Sequence, residues 1–325
     1  MASRQPSLFK QTLSAISLTK WPYIAALRPR QWTKNLIVFA APLFAFSINI
    51  QSFLGSLLAF ALFCCASSSF YLLNDIVDVK SDRQHPVKCH RPIAAGLVSI
   101  PVALGMALVL LGGAVIVGWL KSPRLGITLM GYALLQLAYN LKLKRTVIMD
   151  IGAIAIGFVL RAYAGFAATG VVLSYWFLLC TAMLALFLAV EKRKAELRLA
   201  AITGAPTRAV LKRYSIPLLS RMENTVTTAT VLTYALWSSG PQVSGASTPW
   251  MLVTLPFVLY GIFRYQLLSD PEEIGRRSSD GVEQGGSSER PEEILLTDLP
   301  ILINVVCWVL TIFVILWLKH QSLIQ

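Results

Sequence analysis

Three aspartates, Asp75, Asp78 and Asp82, follow one another in NDIVDVKSD at the end of a long apolar run. On a helix the spacing i, i+3, i+7 places their carboxylates within about 60° of one face. Like charges so arranged repel unless a cation lies among them. Hard divalent ions such as Mg2+ take carboxylate oxygens and keep positions open for the phosphate oxygens of a substrate. The three aspartates therefore read as metal ligands, with Asp75 and Asp78 in the catalytic role and Asn74 as a polar substrate contact; a solvated acidic helix end is the alternative. The basic segment HPVKCHRPIAAG follows directly. Lys88 can meet phosphate as a point charge and Arg91 as a bidentate fork. His85, beside a proline, reads as a hydrogen bonder that fixes a loop, and His90 has no assigned role.

A second polar cluster ends a later apolar run in EKRKAE, with Lys192, Arg193 and Glu196 at helical spacing. Anchoring and surface i, i+4 pairing would account for it; a second phosphate-binding helix end is the sharper reading. Tyr139, Asn140, Lys142 and Lys144 repeat the pattern after another apolar run. Arg161 lies within an apolar stretch, about 16 Å along a helix from Asp150. An intramembrane arginine costs roughly 2.5–3.5 kcal/mol at a helix centre. Arg161 is thus a catalytic candidate, the alternative being a clamp on backbone carbonyls or on Asp150. Phosphate-cradling glycine loops, dinucleotide fingerprints, HExxH and nucleophile elbows are absent from the sequence.

The elements that must position these residues follow from composition. Of 325 residues, 55% are hydrophobic and only 14% charged, which excludes ordinary soluble, disordered and disulfide-rich secreted classes. Apolar stretches near 35–51, 53–73, 99–119, 125–141, 147–168, 173–190, 222–239, 249–267 and 299–318 predict an all-α membrane protein with about nine transmembrane helices. Of the 29 Lys and Arg residues, 25 fall on one side of this arrangement, three on the other and Arg161 within a span. The rich side is cytoplasmic by the positive-inside rule, so the N-terminus is inside. All 16 acidic residues share that side or its rim, which places any chemistry at the cytoplasmic face. The basic residues, net charge +13, lie in short clusters between apolar runs, which argues for topology determinants and against nucleic-acid binding. Residues 1–34 read as an N-terminal interfacial amphipathic segment, with an organellar transit peptide as the alternative, and 35–320 as the transmembrane catalytic domain. Within it, 270–298 is rich in Gly, Ser and acids and reads as a cytoplasmic linker or a lid. The five cysteines show no CxxC spacing and read as small residues buried in the membrane.

These motifs resemble the UbiA-type intramembrane prenyltransferase superfamily. The segments RPRQWTKN (28–35), YLLNDIVDVKSDRQHPVKCHRPIAAG (71–96), QLAYNLKLK (136–144), LRAYAG (160–165), EKRKAEL (191–197) and RPEEILLTD (290–298) are similar to its decaprenyl-phosphate phosphoribosyltransferase branch. The resemblance implies helices around a cytoplasmic-facing polar cavity, Mg2+ as cofactor, and transfer of 5-phosphoribose from 5-phosphoribosyl diphosphate to a polyprenyl phosphate. It also implies a bacterial inner (plasma) membrane setting; a homo-oligomer is left open. Where aromatic prenyltransferases of the superfamily carry a second DxxxD, this chain has KRKAE, which suits a donor with an extra phosphate. Lys88, Arg91, Lys192 and Arg193 would then neutralise phosphate oxygens, and Lys34 and Lys142 are candidates for either substrate. An aromatic-acceptor prenyltransferase and a non-enzymatic lipid transporter are the rival readings.

Overall fold

The computed structural model describes residues 21–44, 49–84, 88–172, 174–203, 210–240, 246, 248–270 and 298–323. Residues 1–20 of the expected interfacial segment, His85, and 271–297 of the expected linker or lid lie outside them. The described residues form helices and connecting turns, with no strand among them. They divide into two compact units: Met1–Leu36 with Leu58–Gln136, and Ile37–Leu57 with Leu137–Gln325.

The first unit begins with the short helix α1 (Pro22–Ala26) and a 3-10 stretch, Pro29–Phe39, whose later residues belong to the second unit. A 3-10 run of this length is uncommon, because its hydrogen bonds are poorly aligned. Side chains hold it instead. Trp32 Nε1 donates to Ser68 Oγ at 3.0 Å, Ser68 Oγ donates to the Leu27 carbonyl at 2.9 Å, and buried Asn35 Nδ2 reaches Cys64 Sγ at 3.2 Å. Chain residues 40–44 form α2 (Ala40–Phe44), so the stretch 35–51 is not one continuous α-helix. Helix α3 (Ile50–Val77) carries that serine ladder, and α4 (Val79–Gln84) follows it. Helix α5 (Ile100–Lys121) buries Ala103, Ala107, Ala114 and Gly118 as one narrow stripe. Its Leu108, Val109, Ile116 and Leu120 are exposed, as expected of a helix whose other faces meet lipid. Helix α6 (Pro123–Leu141) completes the unit with Tyr132 packed on Phe63, ring centroids 5.1 Å apart.

The second unit contains α7 (Met149–Thr169), α8 (Tyr175–Thr203), α9 (Ile216–Ser239), α10 (Leu255–Leu268) and α11 (Leu299–His320). At 29 residues α8 is about 43 Å long, longer than a ~30 Å hydrocarbon core, so its final turns reach beyond the apolar layer. Ser215 and Asp298 cap α9 and α11 by accepting from Leu218 N and Ile301 N. An aromatic core joins Phe44, Phe177, Trp237 and Trp308, with Phe44 edge-on to Trp237 at 4.8 Å.

Among the described residues six spans are long and apolar enough to cross a membrane: Ile50–Val77, Ile100–Lys121, Met149–Thr169, Tyr175–Arg198, Pro249–Leu268 and Leu299–His320. The other three expected stretches, 35–51, 125–141 and 222–239, are not among the six. The first is a 3-10 run and a short helix. The second ends in Gln136, Tyr139 and Asn140. The third, in α9, is rich in threonine, whose polar atoms lower its hydropathy. Those hydroxyls nevertheless return to the helix: Thr225, Thr228, Thr230 and Thr233 donate to carbonyls four residues back, which leaves little polar demand on the surroundings.

Close backbone approach constrains Gly165 most tightly. A Cβ built on Gly165 of α7 would collide with the Val38 carbonyl oxygen and come within 3.0 Å of the Ala41 Cβ. The obstruction is backbone, which does not move as a side chain would. Gly165→Ala is therefore expected to destabilise the protein by about 1–3 kcal/mol, read as a lower thermal midpoint in detergent. An unchanged midpoint would show that the 38–41 segment is free to move away.

Candidate active site

In the first unit the acidic motif sits where a long apolar helix runs out. Asn74 and Asp75 lie in the last turn of α3, Asp78 at the junction, and Asp82 in α4. Helical hydrogen bonding continues across the junction, from Asp78 N to Asn74 O at 2.9 Å and from Asp82 N to Asp78 O at 2.8 Å. Two turns of continuous helix put Asp75 and Asp82 on one face, and both are only 3% exposed. One guanidinium nitrogen spans them: Arg91 Nη1 lies 3.1 Å from Asp75 Oδ1 and 2.7 Å from Asp82 Oδ2. The structure thus brings Asp75, Asp82 and Arg91 of the expected site together.

Arg28 was missed. Its Nη2 meets Asp75 Oδ1 at 2.5 Å, and its guanidinium lies over the Tyr71 ring, 5.1 Å from the centroid. The backbone of Arg28 has φ +56°, a region that non-glycine residues seldom occupy, and Pro29 follows it. Read along the chain it was one more topology charge. The signal that could have found it is an Arg-Pro pair entering an anchored segment.

The half-buried carboxylate of Asp78 makes no ion pair among the described residues. Lys34 Nζ donates to Gln31 Oε1 at 2.6 Å, and Lys88 is exposed in the 3-10 turn Lys88–His90.

As a metal site the cluster offers carboxylate oxygens, the donor chemistry that Mg2+ prefers. No group of three His, Cys, Asp or Glu side chains converges closely enough to form a complete cage among the described residues. Mg2+ is commonly held by one or two carboxylates, with water and substrate phosphate completing its shell.

In the second unit the end of α8 is buried and fully engaged. Arg193 is 1% exposed; its Nε donates to Asp150 Oδ2 and its Nη1 to Glu196 Oε2, each at 2.7 Å. Asp150, at the start of α7 and wholly buried, also accepts from the Tyr214 hydroxyl at 2.8 Å. Burial pushes the Tyr214 phenol up to about 12, so it stays protonated and donates at neutral pH. Lys194, one residue further round the helix, pairs with Glu223 of α9 and lies 3.4 Å from Glu191; Gln266 of α10 donates to Glu223 at 2.8 Å. Thus the three basic residues of KRK do not point one way. Lys192 is half-buried, Lys142 is exposed beside the 3-10 turn Leu143–Arg145, and Tyr139 lies within electrostatic reach of Arg193. Arg161 is buried, donates to its own helix at the Gly157 carbonyl, 2.8 Å, and lies over the Phe158 ring. Of its two clamping alternatives the backbone one is realised, since the Asp150 carboxylate is taken by Arg193 and Tyr214.

The profile of the UbiA prenyltransferase family matches residues 35–279, most of the chain. The chain belongs to the UbiA prenyltransferase family. It is therefore an integral membrane transferase, in accord with its apolar helices. It is 38% identical to the decaprenyl-phosphate phosphoribosyltransferase of Mycolicibacterium smegmatis, over 89% of this chain and 90% of that protein. Against the protein of the same name from Corynebacterium glutamicum it is 38% identical over 89% of this chain and 85% of that one. Among solved structures, a UbiA homolog from Archaeoglobus fulgidus bound to GPP and Mg2+ superposes with a TM-score of 0.65, covering 90% of this chain and 98% of that one. At 17% identity that likeness shows the UbiA fold alone.

Proposed function

We propose that this UbiA-family protein transfers the 5-phosphoribosyl group of 5-phosphoribosyl diphosphate to a polyprenyl phosphate of the decaprenyl type and releases diphosphate. The observation that carries the reading is 38% identity over nearly the whole chain to proteins of that activity by name. The bond between ribose C1 and the diphosphate oxygen breaks with its electron pair on diphosphate, and an acceptor phosphate oxygen bonds to C1. The acceptor oxygen is already anionic, so no strong general base is required, and the polar clusters contain no group that must act as one.

A divalent ion would be held chiefly by Asp78, the carboxylate not engaged by arginine, with Asp75 and Asp82 beside it. Mg2+, when bound, offsets charge on the departing diphosphate. Arg91 and Lys88 supply donors to the diphosphate oxygens, and Asn74 orients the leaving group. Such preorganised charge matters most as C1 becomes electron-poor. Lys142, Lys192 and Tyr139 contact the remaining phosphates, and Lys34 takes the headgroup of either substrate. Arg193 and Glu196 act on those contacts through their buried pairing, and Arg161 braces α7. The basic face of the chain is cytoplasmic, in a bacterial plasma membrane, with the N-terminus inside.

Donor choice separates this reading from an aromatic prenyltransferase. Purified protein in lipid nanodiscs should convert polyprenyl phosphate with phosphoribosyl diphosphate, and should lose that activity on chelation of divalent ions. Prenylation of an aromatic acid from a prenyl diphosphate, without the first reaction, would overturn it.

A further inference from the structure

The turn that enters α7 is held in a conformation its sequence does not favour. Ile148 has φ +70° and ψ −43°, close to the strained γ-turn region, although it is β-branched. The residue is 61% exposed, so packing does not hold it there. The Tyr214 hydroxyl does: it accepts from Ile148 N at 2.7 Å while donating to Asp150 Oδ1 at 2.8 Å. The other oxygen of Asp150 receives Arg193. On the opposite side of the turn the chain runs back through Thr146, whose hydroxyl donates to the Lys142 carbonyl at 3.2 Å, to the basic 3-10 turn Leu143–Arg145. One phenol, 66 residues from Ile148, therefore ties together a strained turn, a buried carboxylate and its arginine.

We propose that Tyr214 is a positioning residue for the phosphoribosyl donor: its hydroxyl fixes the Ile148 turn and the Asp150 carboxylate, and through them the placement of Lys142 and Arg193. The proposal rests on the phosphoribosyl transfer proposed above. Tyr214 touches no substrate; it acts by holding backbone that otherwise relaxes to a more populated conformation. A phenylalanine keeps the ring in the cluster formed by Ile151, Val190, Leu211 and Leu219 and removes only the hydroxyl.

The test is Tyr214→Phe in the full chain, in nanodiscs, with two readouts. Hydrogen exchange at the Ile148 amide needs no substrate and should quicken about tenfold or more when its acceptor is lost. The KM for phosphoribosyl diphosphate should rise about tenfold, with the KM for polyprenyl phosphate changed less than about twofold. Unchanged exchange and unchanged donor KM would overturn the proposal, as would equal losses for both substrates together with a collapsed thermal midpoint. Should that variant fail to fold, adding Ile148→Gly, which takes positive φ without strain, should restore folding to Tyr214→Phe, and a double variant that still fails to fold overturns the proposal. A wild-type protein that makes no phosphoribosyl lipid defeats the transfer reading and the proposal with it. An active wild type whose Tyr214→Phe variant behaves normally defeats the proposal alone.

Discussion

Asp78→Asn is expected to lower turnover about a hundredfold or more while leaving the protein folded and in the membrane. Asp75 and Asp82 are buried and share Arg91, whereas Asp78 sits at the junction of α3 and α4 without an ion pair among the described residues. The substitution is nearly isosteric and removes no internal bridge, so stability should hold. What it removes is the carboxylate least committed to the protein and most available to a divalent ion. Raised Mg2+ or Mn2+ should restore part of the rate, since a weakened site fills at higher concentration. Steady-state rates across a metal titration check this; a variant with wild-type rates at ordinary Mg2+ would sink the assignment of Asp78.

Arg193→Ala should act differently, through stability. Its removal strands Asp150, which is 0% exposed, without its cation. Breaking a buried pair from one side costs roughly 3–5 kcal/mol, because the remaining charge has neither water nor partner. Loss of monodisperse protein in detergent and a much lower thermal midpoint are the expected results. Arg193→Lys should recover only part, because an ammonium cannot reach Asp150 and Glu196 with the same planar fork. Combining Arg193→Ala with Asp150→Asn should recover more stability than the single variant retains, since asparagine still accepts from Tyr214 but carries no charge. If Arg193→Ala keeps its thermal midpoint and loses only donor affinity, Arg193 is a direct phosphate contact and the buried pairing is incidental.

These contrasts mark what the sequence could and could not tell. The i, i+7 spacing of Asp75 and Asp82 is a local helical fact, and the basic residues that follow within a few turns include the Arg91 that joins them. Arg28 meets Asp75 across 47 residues, and Arg193 meets Asp150 across 43; no periodicity encodes such meetings. The run KRKAE looked like one basic surface because a one-dimensional reading does not rotate side chains. A helix turns about 100° per residue, so Arg193 and Lys194 serve different partners. Hydropathy found the long spans, yet it could not show that 35–44 is a 3-10 run and a short helix held by Trp32 and Asn35 on the serines of α3.

The group that moves defines the reaction. Phosphoribosyl diphosphate radiolabelled either in its 5-phosphate or in its diphosphate, incubated with the purified protein, polyprenyl phosphate and Mg2+, tests it directly. The 5-phosphate label should enter the lipid and the diphosphate label should leave as free diphosphate, in equal amounts. Diphosphate label in the lipid, or lipid that gains neither label, would contradict it.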